Sequence, residues 1–319
     1  MAADVAWRLA RGALALAVPV FPDTAPFGHR TLQEVALSLL ATTSLCSAAG
    51  HFLTRSSVLL RLASRFHGEL RDEAWEQVRL GPQDLQDDMQ APDEEADPKA
   101  TVRKARKRTA TELLFIAVHN SAVSFLAAAA WVVGSPTLAL HAFTLEVGYE
   151  IFDTYTLRLR RLEPETLIHH IVSPICILCS TQTEVDYRVL CHLCICIDAS
   201  GAVLGYSKFL LHYAHVSASR VYRRLMWVYG LLRVVLSLID TAIIIRQEVV
   251  ARGGLFVVTT VVDEEGKYLA FAKTDWTQLY FWAIAVLNAF NIYFFFVIRA
   301  RARLPPHVVA GYEARMGCH

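Results

Sequence analysis

Seven apolar runs, most of them about twenty residues long, constrain this chain more than any other feature of its sequence. A helix needs roughly 20 apolar residues to cross the hydrocarbon core of a bilayer. Lipid offers the backbone no hydrogen bonds, so a spanning segment must satisfy its own N–H and C=O groups as a helix or in a closed barrel. The runs cover residues 33–53, 111–133, 137–157, 166–180, 187–211, 226–245 and 276–298. They predict an all-α, polytopic membrane helix bundle of about seven transmembrane helices. The shortest of them, 166–180, contains Pro174, which should kink it. Composition agrees, with 54% hydrophobic and 19% charged residues against about 25% charged in a typical soluble domain. The formal net charge of +1 gives no general pull toward nucleic acid.

The segments between the runs set the organisation. Residues 1–32 hold Arg8, Arg11 and a short apolar run, 12–21, too short to span. An interfacial N-terminal helix is the default for it, with a cleaved signal or an extra tilted span as alternatives. In 56–80, Leu59, Leu62, Phe66 and Leu70 recur at helical spacing while Arg61, Arg65, Glu69 and Arg71 take other faces. That is an amphipathic helix on the membrane surface or against the bundle. Residues 81–98 are acidic, broken by proline and poor in apolar groups, which predicts disorder. The basic run Arg103–Arg108 closes the 54–110 segment and reads as a juxtamembrane anchor. Residues 255–262 and 267–272 are β-rich and flank Asp263-Glu264-Glu265-Gly266, a hairpin signal.

Charge then orients the chain. Lys and Arg fill 54–110, 158–165, 212–225 and the tail 301–319, are absent from 134–136 and 181–186, and in 246–275 are only Arg246, Arg252, Lys267 and Lys273. Positive charge collects on the cytoplasmic side, so the N-terminus is expected in the lumen and the C-terminus in the cytoplasm. Cys176, Cys179, Cys191, Cys194 and Cys196 fall inside apolar stretches, as small reduced hydrophobes would.

Ionisable residues at membrane depth are functional candidates by default. His169 and His170 open an apolar run that has no Lys or Arg between Arg161 and Arg188. Glu146, Glu150 and Asp153 are spaced four and three apart, so they share one helix face and predict a polar interior chamber. Tyr149 lies among them. Asp198 and Lys208 sit in the fifth run and His119 in the second. Arg233 and Asp240, seven apart on one face, are read as pairing with each other or with interior groups. Asn288 and Asn291 are read as interhelical hydrogen-bonding groups. No metal site is expected. Zinc wants four converging ligands, whereas a helix displays Cys191, His192, Cys194 and Cys196 on different sides. The adjacent His169 and His170 could share one ion only on irregular backbone. Neither a Gly-rich phosphate loop nor a Gly-x-Ser-x-Gly elbow is present.

The stretch from Leu145-Glu146-Val147-Gly148-Tyr149-Glu150 and Asp153 to His169-His170-Ile171-Val172-Ser173 resembles the TLC-domain family (TRAM, Lag and CLN homology) over roughly residues 101–300. The resemblance implies a helix bundle around a lipid-accessible cavity in the endoplasmic reticulum. The family's ceramide synthases join an acyl group from acyl-CoA to a sphingoid amine, and their motif begins His-His-x-x-Thr. Asp198 and Lys208 match their second motif, whose His, second Asp and Glu have no counterparts here. The resemblance thus implies His169, His170 and Asp198 as catalytic and Glu146, Tyr149, Glu150, Asp153 and Lys208 as substrate-binding. Membrane lipids, acyl-CoA as co-substrate and a long-chain base are the implied partners, with no bound cofactor and no nucleic acid; a homo-oligomer is left open. A non-catalytic lipid-binding, lipid-transport or membrane-composition protein is the alternative, and a proton or ion transporter a third.

Overall fold

The computed structural model describes residues 32–72, 74–76, 109–157, 164–181, 185–214, 218–252 and 276–303. Among these residues all regular structure is helical. In chain order the helices are α1 (Leu32–Arg55), α2 (Val58–His67), α3 (Ala110–Val133), α4 (Pro136–Leu157), α5 (Pro164–Ser180), α6 (Tyr187–Tyr213), α7 (Ala218–Tyr229), α8 (Ser237–Arg252) and α9 (Trp276–Arg303). A π-helical segment, Gly230–Leu236, joins α7 to α8 without a break. The expected N-terminal run, acidic stretch, basic run, β-hairpin and C-terminal tail lie outside the described residues.

Five helical stretches are long and apolar enough to cross a membrane: Gln33–Arg55, Ala110–Val133, Tyr187–Tyr213, Arg220–Gln247 and Leu279–Ala300. The chain is therefore a multi-pass membrane protein. Two of the seven expected spans do not reach that standard. Helix α4 has 22 residues but carries Glu146, Glu150 and Asp153 from its midpoint onward. The apolar part of α5, Leu167–Ser180, is only about 20 Å long at 1.5 Å per residue. The expected span 226–245 extends further than its apolar core, because α7, the π segment and α8 form one continuous rod.

Local chemistry sets the helix ends. Thr109 and Glu112 start α3 with a reciprocal cap: Glu112 N–H donates to Thr109 Oγ1 at 3.2 Å and Thr109 N–H donates to Glu112 Oε2 at 2.7 Å. Gly134 ends the helix with φ +73, a conformation open to glycine, and Pro136 begins α4 at once. Asp186 caps α6 by accepting from Arg188 N–H at 2.9 Å.

The helices close a ring. Helix α4 packs on α5, α5 on α9, α9 on α7, α7 on α6, α6 on α3, and α3 back on α4. Helix α1 covers the outside of α4, and α2 leans on α3. One end of the ring carries the 134–136 turn and the start of α6, where Gly134 approaches the Tyr187 hydroxyl and Gln247 accepts from Asp186 N–H. The opposite end gathers the close of α1 and the end of α6, through Thr111 Oγ1 on Thr54 O and Arg71 N–H on Tyr213 O.

Helix α2 occupies the first half of the predicted amphipathic stretch 56–80 and has one buried and one exposed apolar side. Leu59, Leu60 and Ala63 are buried against the bundle, while Leu62 and Phe66 face outward.

Without water to squeeze out between helices, membrane bundles associate through close backbone approach and interhelical hydrogen bonds. Both are present. Gly201 and Gly205, one turn apart, let α6 lie directly on α3. A Cβ on Gly201 would sit 2.6 Å from Asn120 Nδ2, and one on Gly205 would sit 2.9 Å from Ile116 Cγ2. Gly148 plays the same part between α4 and α1, where a Cβ would lie 2.9 Å from Thr43 N. Nearby, Thr42 Oγ1 donates across the interface to Thr144 O at 2.8 Å. Gly148→Leu drives a side chain into backbone, which cannot yield as a flexible chain end can. We expect it to destabilise the purified protein by about 1–3 kcal/mol, read as a lowered unfolding midpoint in detergent; an unchanged midpoint would mean that α1 does not pack on α4 in this way.

Candidate functional site

The carboxylate face of α4 turns inward, and each acid meets histidine. Glu146, Glu150 and Asp153 are all buried. His119 Nε2 of α3 lies 3.0 Å from Glu146 Oε2, within hydrogen-bonding distance. Tyr149 stacks on the His119 ring, with centroids 4.2 Å apart and planes at 21°, which fixes the imidazole from its face.

Glu150 is the centre of the arrangement. Its Oε1 lies 3.3 Å from His169 Nε2 and its Oε2 lies 3.1 Å from His170 Nε2, so one carboxylate spans two neighbouring rings of α5. Asp153 Oδ2 approaches His170 Nε2 at 3.4 Å. On the other edge of that ring, Nδ1 hydrogen-bonds to Thr154 Oγ1 at 2.7 Å. His170 is thus held at both nitrogens and its side chain is 6% exposed. His169, at 27%, is the open member, and its Nδ1 makes no hydrogen bond among the described residues. Adjacent residues on a helix point about 100° apart, which is why one ring can lock into the α4 interface while the other looks into the ring.

What His169 looks into is a half-open cleft lined by α4, α5, α6, the π segment and α9. The wall residues are graded along its length. Glu146, His169, Asp198 and Arg233 supply the polar groups. Phe143, Cys176, Ile177, Leu190, Leu193 and Tyr280 continue it as a mostly apolar pocket, with Ser180 at its end. Helix α5 runs from His169 to Ser180 along this wall and α6 from Leu190 to Asp198. The apolar end therefore lies toward the 134–136 and 181–186 turns, and the polar end is deeper in the bundle. Asp198 is steadied by Cys194, whose thiol donates to Oδ2 at 3.0 Å. Arg233 enters from the π segment, with its Nε–H donating to Asn291 Oδ1 at 2.9 Å.

Of the residues picked out from sequence, Glu146, His169 and Asp198 line this cleft, and His170, Glu150 and Asp153 stand behind His169. Tyr149 reaches the site through His119. Lys208 is not a wall residue: it lies ten positions beyond Asp198, about 15 Å further along α6 at helical rise. Arg233 and Asp240 do not pair with each other. Arg233 goes to Asn291, and Asp240 Oδ2 goes to His192 Nδ1 at 2.8 Å. The intervening π turns carry more residues per turn than an α-helix, so a seven-residue spacing no longer means one face. Asn288 and Asn291 are interhelical hydrogen-bonding groups; Asn288 accepts from Ser237 and donates to Thr241. Thr154 and the cleft position of Arg233 were not singled out from sequence, whereas Ser173, quoted in the His169–Ser173 stretch, does line the cleft. Threonine one residue after Asp153 was the only local sign of the first, and nothing in the sequence marks a π segment.

Comparison with protein-family profiles, curated proteins and solved structures finds no match to this chain.

Removing a buried ionic partner leaves the others desolvated and uncompensated. Glu150→Ala is expected to lower stability by about 3 kcal/mol, and Thr154→Ala, which deletes a single hydrogen bond, by about 1 kcal/mol. Unfolding midpoints of the detergent-purified variants measure both; equal shifts would deny Glu150 its central place.

Proposed function

We propose that this chain is a TLC-domain-like membrane enzyme of lipid metabolism that transfers an acyl group from acyl-CoA to the amine of a long-chain base. The observation that carries the reading is His169: one imidazole backed by a buried carboxylate and facing a cleft that is polar at one end and apolar at the other. The same reading makes α4 and α5 crossing segments despite their acids and shortness, for seven crossings in all. It places the N-terminus in the lumen of the endoplasmic reticulum and the C-terminus in the cytoplasm, where the basic loops meet the anionic nucleotide of CoA.

Glu150 accepts from His169 Nε2–H, which leaves the lone pair on Nδ1 toward the cleft. The acyl chain lies along Phe143, Ile177, Leu190 and Leu193, with its thioester carbonyl at the polar end. The amine attacks that carbonyl carbon, and the new C–N bond replaces the C–S bond. His169 Nδ1 takes the proton that the amine sheds, and Glu150 stabilises the imidazolium. The proton then passes to the departing thiolate, so the products are the amide and free CoA. His170, held by Thr154 and Asp153, fixes Glu150 and acts as a positioning residue. Asp198 on the facing wall accepts a hydrogen bond from the incoming neutral amine, and Arg233 balances the charge of Asp198.

His169→Ala is expected to lower acyl transfer to a long-chain base by roughly 10²- to 10⁴-fold, the usual contribution of a positioned base, while the variant still elutes as folded protein. The measurement is formation of N-acyl product from radiolabelled long-chain base and acyl-CoA by protein reconstituted in nanodiscs. Wild-type protein that makes no product, yet co-purifies with an unmodified lipid identified by mass spectrometry, would overturn this reading in favour of lipid binding without chemistry.

A further inference from the structure

A second cluster of ionisable side chains lies outside the cleft, on another face of α6. His192 and Cys196 are one helical turn apart, so they share a face, and that face turns to α8. There Asp240 completes a group whose nitrogen, sulfur and oxygen atoms all lie within 4.8 Å of one another. Asp240 Oδ2 is 2.8 Å from His192 Nδ1, and Cys196 Sγ is 3.9 Å from the same nitrogen. All three residues are buried, and Asp240 is fully so. Its second oxygen, Oδ1, is buried and has no hydrogen-bond partner among the described residues. A carboxylate at this depth with a bare oxygen is expensive unless something binds it.

We propose that His192, Cys196 and Asp240 form a binding site for a divalent cation of the zinc class. Zinc takes imidazole nitrogen, thiolate sulfur and carboxylate oxygen at about 2.0–2.3 Å. At tetrahedral angles those bonds put the ligand atoms about 3.3–3.6 Å apart. The two distances to His192 Nδ1 bracket that range, so a cation would draw Cys196 in and ease Asp240 outward. The charges also close: one thiolate, one carboxylate and a neutral imidazole around a dication sum to zero, the one total that a hydrocarbon-depth site tolerates cheaply. The mixed set of one soft, one intermediate and one hard ligand suits zinc or cobalt over magnesium or calcium. The site is not the tract Cys191-His192-Leu193-Cys194-Ile195-Cys196 that the sequence suggests on paper. Only the two members four apart take part, and the third ligand comes from a helix more than forty residues away.

The test uses the full chain in nanodiscs, purified through a histidine-free tag, stripped with chelator, then dialysed against Zn²⁺ or Co²⁺. We expect about one zinc per chain by inductively coupled plasma mass spectrometry, and in the cobalt form a near-ultraviolet thiolate-to-cobalt absorption band. Cys196→Ser abolishes the band, Asp240→Asn lowers the zinc retained by at least tenfold, and Cys46→Ser, at a distant buried thiol, leaves both unchanged. Wild-type protein that retains no more zinc than Asp240→Asn, or a cobalt band that survives Cys196→Ser, overturns the site. The wild-type measurement decides the matter even where a variant fails to fold.

Discussion

Glu150 has nothing to hydrogen-bond with except what the protein brings to it, because hydrocarbon supplies no water. The protein brings histidine. The same solution recurs at each acid of α4 and again at Asp240: Glu146 meets His119, Glu150 meets His169 and His170, Asp153 meets His170, and Asp240 meets His192. Lysine or arginine would bring an obligatory positive charge whose own desolvation must be met. An imidazole can donate an N–H to a carboxylate while carrying no charge, and it accepts a proton when chemistry supplies one. A bundle built on histidine–carboxylate pairs is therefore both tolerable at membrane depth and able to move protons there.

Those pairs can form only if the helix backbones come close enough for short side chains to meet. Small residues provide the approach. Gly148 lets α1 press on α4 from outside, holding the acid face inward. Gly201 and Gly205 do the same between α6 and α3, and Asn120 fills the space that a Cβ on Gly201 would take. The α5 wall then closes on α4 through the histidines themselves. Packing and polar pairing are one arrangement here, since loosening either helix contact would leave a buried carboxylate without its ring.

The helical class, most of the crossing segments and the inward acid face were legible because each rests on periodicity or length, which a linear sequence records directly. Glu146, Glu150 and Asp153 could be placed on one face by counting residues alone. What could not be counted was which helix faced them. Histidines 119, 169 and 170 were visible as costly residues, but their assignment to particular carboxylates depends on how the ring closes. The π segment shows the limit most plainly. The seven-residue interval from Arg233 to Asp240 predicts one face under α-helical geometry, and a local change in hydrogen-bonding pattern sends the two side chains to different neighbours. The span count differs for a related reason: five stretches are long and apolar enough to cross, whereas α4 carries three acids and the apolar part of α5 is short.

Helix α6 brings these threads to one place. Cys194 and Asp198 are four apart, as are His192 and Cys196, and the two pairs are offset by two residues. An offset of two turns a helix by about 200°, so the pairs occupy nearly opposite faces: one looks into the cleft, the other toward α8. The rod formed by α7, the π segment and α8 answers both, with Arg233 on the cleft side and Asp240 on the far side. Single π turns inside α-helices occur frequently at functional sites. Here Arg233, inside the π segment, lines the cleft with Asp198, while Asp240, beyond it, meets His192 and Cys196 on another face of α6.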